Sequence, residues 1–406
     1  MTMPRLNNFL LSYCTNVHPS EKLDQMRESL TEFTLPLKQR LFPGQDMGLG
    51  IWMAAQAAET LNADQDEFES FKQFLSESGF FLFTINAFPY GNFHSTRVKE
   101  QVYKPDWTED SRLDYTRKVA DVLARLLPEN TSGSISTLSG AYRPGRHDSE
   151  TFEAIARNLS RAVAHLHRIE NETGKTLMLG IEPEPWTTVE LISETVHFFN
   201  EYIYRTGCEQ LSSELNIGSL ESEELLRKHL GLCYDCCHQA VEFEDLGESL
   251  ETLRSEGIPI AKVHLSCALI VPGPANNPEG IKELLSFDEE RYLHQVVAQS
   301  NGRNETLRDL DEFNTATLAE WRNYPEWRCH FHVPIFLEKL TNLRTTQPQL
   351  RDAIDFLNRT RYCRHLEIET YTWLVIPEEV RNDLCGGTLL GSLEQEFRWT
   401  LERLED

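Results

Sequence analysis

Four short apolar runs in this sequence each stop at a carboxylate or a histidine. Leu179–Pro185 (LGIEPEP) reaches Glu182, Leu230–His238 (LGLCYDCCH) reaches Asp235, Ala261–Ser266 (AKVHLS) reaches His264, and His365–Trp373 (HLEIETYTW) reaches Glu369. Each begins as a buried strand, and charge appears only where the run ends. Two Glu, one Asp and one His gathered at one place offer oxygen and nitrogen ligands to a divalent ion, and Mn, Mg, Zn and Co all accept such a set. Two carboxylates flanking an ion can also remove a proton from a bound substrate and return it, with no nucleophile required. Any one of these residues alone is more readily a helix cap or an arginine partner. Four strand ends in agreement favour a site.

Other residues invite weaker readings. Glu184 lies two positions beyond Glu182 and competes for its ligand role. His330 and His332 share one face of the run HFHVPIF and suit either an added ligand or a substrate contact. His18 and His94 would line the same mouth, and rim aromatics including Phe88, Tyr90, Phe93, Trp107, Trp186 and Trp373 suit a partly apolar metabolite. The segment RVKEQVYK (97–104) sets three cations beside the mouth, either for an anionic group or for surface acids. Cys233 and Cys236 form a lone C-x-x-C straddling a strand end, which reads as buried structural thiols.

Stepping from residues to elements, strand and amphipathic helix alternate along the chain. Strands are expected at 10–18, 47–53, 80–88, 133–138, then at the three tipped segments between 177 and 266, and at 366–371. Helices are expected at 20–41 (with Ser20 as N-cap), 64–77, 110–127, 149–172, 189–205, 246–256, 349–359 and 393–404. Alternation of this kind predicts a parallel sheet, and eight units without Gly-x-Gly-x-x-Gly favour a closed (β/α)8 barrel. In such a barrel functional side chains sit at the C-terminal strand ends. Within AKVHLS, Lys262 and His264 share the face opposite Val263 and Leu265, and Glu367 opposes Leu366 and Ile368. Polar faces then point inward, where Lys262 and Glu367 can pair one layer below the site. Residues at about 270–336 exceed a minimal repeat. They read as a rim insertion between strands seven and eight, with a hairpin over 291–313 turning at Asn301-Gly302 and His330–Phe336 as one more strand-like run. The chain 1–406 reads as a single domain.

The order Ile-Glu-Pro, Tyr-Asp-x-x-His, Val-His-Leu, Ile-Glu-Thr resembles the xylose isomerase-like barrel superfamily of sugar epimerases, isomerases and endonuclease IV-type enzymes. The resemblance implies a divalent metal on Glu182, Asp235, His264 and Glu369, with Glu182 and Glu369 also catalytic, and a substrate contact at His238. Substrate contacts at His332, His94 and Trp186 complete the expected site. A narrower likeness, through LSYCTNVHPSE, NAFPYGNFHSTRVKEQVYKPDW, SGSISTL, IEPEPW, CYDCCH, RYLHQVV, HFHVPIF and IETYTW, is to the E component of the Ebo metabolite-traffic cluster. It implies hand-over of a metabolite to other Ebo-cluster proteins that include a membrane partner. Two departures weaken a sugar assignment: Cys267-Ala268-Leu269 replaces a polar run after strand seven, and the insertion has no counterpart in the simple isomerases.

Bulk composition is consistent with this reading. Of 406 residues, 64 are acidic and 39 basic, a formal charge of −25. That field repels nucleic acid and anionic membranes, which disfavours a phosphodiesterase acting on DNA. No signal-peptide h-region and no span of membrane length is expected, and nine cysteines suit reduced thiols in a cytoplasm. The expected partner is a small-molecule metabolite.

Overall fold

The computed structural model describes residues 8–95, 97–142 and 148–404. Eight parallel strands form the barrel: β1 (Leu10–Tyr13), β2 (Met47–Trp52), β3 (Phe80–Asn86), β4 (Gly133–Leu138), β5 (Leu177–Glu182), β6 (Leu230–Asp235), β7 (Ile260–Leu265) and β8 (His365–Ile368). Hydrogen bonding runs in the order β1-β8-β7-β6-β5-β4-β3-β2, and a parallel bridge between Cys14 and Gly50 closes the ring. This is the (β/α)8 barrel that the alternation predicts.

Helices cover the outside because their apolar residues recur at helical spacing. In Ser149–Thr173, Ile155, Leu159, Ala162, Val163, Leu166 and Ile169 are buried, and Asp148 caps the start by accepting from the Thr151 amide. The barrel interior is polar: Ser12, Thr84, Ser134, Ser136, Lys262, His264 and Glu367 are all fully buried.

Register places the tipped residues side by side. Glu367 of β8 pairs with His264 of β7, and His264 pairs with Asp235 of β6. The second match depends on an irregularity, since Leu232 pairs with Ile260 but Cys233 with Lys262. Without that bulge Asp235 would lie beside Val263, which faces away from the barrel interior. Gly180 of β5 makes room for it: a Cβ there would stand 2.6 Å from the Cys233 amide nitrogen.

Between β7 and β8 the insertion builds a five-stranded antiparallel sheet. Its spatial order is Arg303–Leu307, Val296–Ser300, Glu326–Cys329, Leu269–Pro272, Arg344–Thr345. The expected hairpin is present, turning at Asn301-Gly302 with positive φ at both. His330–Phe336 is not a strand. Strand pairing ends at Cys329, and Pro334, which has no amide hydrogen, lies within the run. Nor does Ser20 cap the first helix: that helix starts at Leu23, and the Ser20 hydroxyl donates to the His18 carbonyl instead.

Candidate functional site

Three carboxylates from three strand ends converge on one ring nitrogen. His264 Nδ1 lies 3.0 Å from Glu182 Oε1, 2.9 Å from Glu369 Oε2 and 3.4 Å from Asp235 Oδ2. The other ring nitrogen, Nε2, donates to Glu367 Oε2 at 3.0 Å, and Lys262 Nζ holds the same oxygen at 2.5 Å. Thus the pair expected one layer below the site forms, and it fixes the His264 ring. The Glu367 carboxylate needs space from β2: a Cβ on Gly50 would collide with Glu367 Oε1 and come 2.7 Å from Ser12 Oγ.

Each carboxylate is held by one oxygen and leaves the other turned inward. Asp235 Oδ1 accepts from the His238 amide (2.9 Å) and Ser266 Oγ (2.8 Å). Glu369 Oε1 accepts from the Asn16 (2.8 Å) and Asn86 (3.3 Å) side-chain amides. Glu182 Oε2 and Asp235 Oδ2 are buried with no hydrogen-bond partner. Asn16 and Asn86 join the site from the same kind of position as the acids, one just after β1 and the other ending β3. Glu184 points elsewhere, accepting from the Tyr103 hydroxyl at 2.8 Å, so Glu182 is the glutamate of this cluster.

A second cluster lies beside the first. His238, His332 and His330 each commit Nδ1 to an acceptor that cannot donate: the Pro183 carbonyl (3.1 Å), the Glu369 carbonyl (2.9 Å) and Gln295 Oε1 (2.7 Å). Nδ1 therefore carries the proton in each ring, and Nε2 is the free position. Those Nε2 atoms meet, 3.2 Å from His330 to His332 and 3.4 Å from His332 to His238. Two bare lone pairs cannot face each other at that range without a proton or cation between them. Nitrogen ligands about 2.0–2.1 Å from a tetrahedral ion stand roughly 3.3 Å apart, so the spacing fits a metal as well.

Electrostatics agree in both clusters. Burial works against charge on Asp235, yet His238 and His332 hold it well below the usual carboxylate range. Burial likewise opposes charge on Glu367, but Lys262 and His264 bring it down to about 2. Burial lowers His264, and Cys233, Glu369 and Glu182 overcome that and raise it well above an ordinary histidine. His330 and His332 are pushed down by burial and by neighbouring rings, whereas on His238 burial is outweighed by Asp235, Glu184 and Glu182, which raise it. Burial lifts Glu184 to about 8. Positive charge is thus favoured where the three acceptor oxygens converge, while His330 and His332 are held neutral with a nitrogen lone pair to offer. Both donor sets fit divalent ions: oxygen-rich in the first, all-imidazole in the second.

The cavity above these residues holds about 520 Å³ of atom-free space including its opening, and Glu182, Glu184, His238, His330 and Glu369 form its polar floor. Among the remaining expected residues, His332 is not a lining residue. His94 and Trp186 are not among the lining residues: the His94 ring bonds the Asn16 carbonyl at 2.7 Å, and the Trp186 amide bonds Glu190. His18 is buried against Tyr13 and Phe33. Two of the three cations in 97–104 pair with acids, Lys99 with Asp309 and Lys104 with Asp106. Cys233 touches the His264 ring at 3.5 Å, and all nine cysteines are free thiols.

No protein-family model matches the sequence, and neither does any curated protein. Several solved structures resemble the chain. One is the probable 3-DHS dehydratase AsbF, involved in petrobactin synthesis, from Bacillus anthracis (11% identity, 96% of this chain and 98% of that one, TM-score 0.47). Another is the IOLI protein with a binding zinc atom (9%, 98% and 99%, TM-score 0.48). A third is a xylose isomerase-like TIM barrel protein from Mycobacterium smegmatis in complex with magnesium (11%, 99% and 98%, TM-score 0.46). The barrel assignment stands on the strand order and closure described above.

Proposed function

We propose that this chain is a divalent-metal-dependent enzyme of the xylose isomerase-like kind, moving a proton on a small polar hydroxy-carbonyl metabolite. The observation that carries the reading is the convergence of Glu182, Asp235 and Glu369 within 3.4 Å of one His264 nitrogen. Divalent ions held by that set, and by the Nε2 atoms of His238, His330 and His332, supply positive charge beside the substrate oxygens.

The chain's own groups do the rest. Glu182, with Oε2 unpartnered, takes the proton from the carbon beside the carbonyl, and the electron pair moves into the enediolate. Glu369, oriented by the Asn16 and Asn86 amides, returns a proton from the other side, so isomerisation or epimerisation needs no redox partner. Glu367 and Lys262 keep the His264 ring from turning. Water is limited by the insertion and by loop 87–109, which together roof the cavity.

The alternative is metabolite hand-over in an Ebo-type system, which rests on the sequence likeness and is favoured by that roofed cavity. A phosphodiesterase gains histidine ligands from the second cluster, but the charge of −25 opposes it. The test is metal analysis of protein purified without chelator, then incubation with hydroxy-carbonyl compounds in deuterated water. Bound divalent metal, deuterium entering the carbon beside the carbonyl, and loss of exchange in Glu182→Gln and Glu369→Gln are expected. Tight binding without exchange supports hand-over, and a chain that takes up no divalent metal refutes the proposal.

A further inference from the structure

The walls above the polar floor narrow the substrate class, an inference that rests on the reading above. Two groups of rings line the cavity. Phe93, Tyr292 and Tyr371 pack together with centroids 5.0–5.4 Å apart, and Phe88 packs on Tyr103 at 5.9 Å. Among the described residues no ring contact joins one group to the other. They are separate apolar surfaces, completed by Val98, Val102 and Leu293.

Buried polar atoms left without partners lie at one end of this cavity. Asn16 Oδ1, Glu182 Oε2 and Glu184 Oε2 are buried lining atoms without hydrogen-bond partners, and all three sit at the floor. Oxygen acceptors of this sort receive substrate hydroxyls. Lys99 is the one cationic side chain in the lining apart from the histidines, and its ammonium is already bound to Asp309 Oδ2 at 2.6 Å and the Glu289 carbonyl at 2.9 Å. Arg291 lies 5.8 Å over the Tyr292 ring and is not a lining residue. A polyol would bury hydroxyls against ring faces that offer them no partner, and a buried hydroxyl left unpaired is costly. A flat ring meets those faces favourably.

We infer that the site takes an uncharged planar ring compound, aromatic or conjugated, with its neighbouring hydroxyl and carbonyl oxygens confined to one edge. That edge meets the floor, and the ring lies between the two aromatic surfaces.

The test is calorimetric titration of the metal-loaded protein with three probes that share a hydroxyketone. 2-Hydroxyacetophenone presents it on an aromatic ring, dihydroxyacetone without a ring, and dihydroxyacetone phosphate with an anion. The aromatic probe is expected to bind at least tenfold tighter than either of the others. Phe93→Leu and Tyr292→Leu are expected to weaken it at least tenfold while leaving metal content unchanged. Tyr371→Leu serves as the third variant if either fails to fold. Tightest binding by the phosphate, equal binding of ring and ringless probes, or no binding of any probe overturns the inference. Loss of metal or absence of deuterium exchange bears on the proposed reaction instead, since ring selectivity is read from affinity alone.

Discussion

His264 shows how a single side chain collects a site. Its ring is keyed by Glu367 and Lys262 on one side and faces three carboxylates on the other, so every neighbour's geometry is set by one imidazole. The four residues that converge are legible because a strand is apolar until it leaves the barrel, and a change of residue type there marks a candidate position. Asn16 and Asn86 obey the same rule, but an amide after a strand is too common in turns to stand out. His94, an equally suggestive residue type in the sequence, is spent on a backbone carbonyl. At the opposite end of the barrel, His365 is buried against Phe83, with Nδ1 2.9 Å from Ser134 Oγ and Nε2 3.2 Å from Ser132 Oγ. Burial, aided by Lys262, lowers it to about 4. The folded ring is neutral while the unfolded one titrates near 6.5, so its contribution is full above pH 6.5 and is lost as pH falls through 4. That difference corresponds to about 3 kcal/mol. Urea unfolding of wild type and His365→Asn at pH 7.5 and pH 4 is expected to show a larger loss in wild type by roughly that amount. Parallel losses in the two proteins would assign the acid sensitivity elsewhere.

Elements were legible wherever their periodicity was clean. β4 and the helices Asp110–Leu126 and Ser149–Thr173 fall within a residue of expectation at each end. Misplaced elements have local causes. Ala55–Ala63 is a short alanine-rich helix with little polar contrast, and Ser219–His229 is so charged that it reads as loop. The insertion exceeded its expected hairpin because its pairings are long-range, joining 269–272 to 326–329. That sheet is fastened to loop 87–109 by a clasp. The Val98 and Lys99 amides donate to the Arg291 carbonyl, and the Lys99–Asp309 ion pair behind them is only 6% and 4% exposed. Breaking a buried pair by removing one partner costs about 3–5 kcal/mol, because the other charge stays buried. In Lys99→Met that cost falls on the roof and not on the barrel. Proteolysis within 87–109 or 286–313 is expected to accelerate at least tenfold, with metal content and barrel unfolding unaltered. Digestion at the wild-type rate would show that the backbone hydrogen bonds alone hold the roof.

Across the whole molecule, charge is the property that sequence states most directly and local structure uses least. The buried pairs Lys262–Glu367 and Lys99–Asp309 are shielded from solvent ions, while many of the 64 acidic side chains stand at the surface without enough cations to match them. A net charge of −25 has two consequences of opposite sign. It strains the compact fold through self-repulsion, and it draws divalent cations toward the mouth. Salt weakens both, because the screening length falls from about 30 Å at 0.01 M to about 8 Å at 0.15 M. Raising NaCl over that range is therefore expected to increase the melting temperature of the metal-free chain and to slow the association of Mn with the metal-free site. KCl should act identically, since only ionic strength matters. Stopped-flow metal uptake and thermal unfolding in the same buffers check the pair. If both quantities moved in the same direction, or NaCl and KCl differed, ion binding at a specific site would govern the response and the long-range field would not.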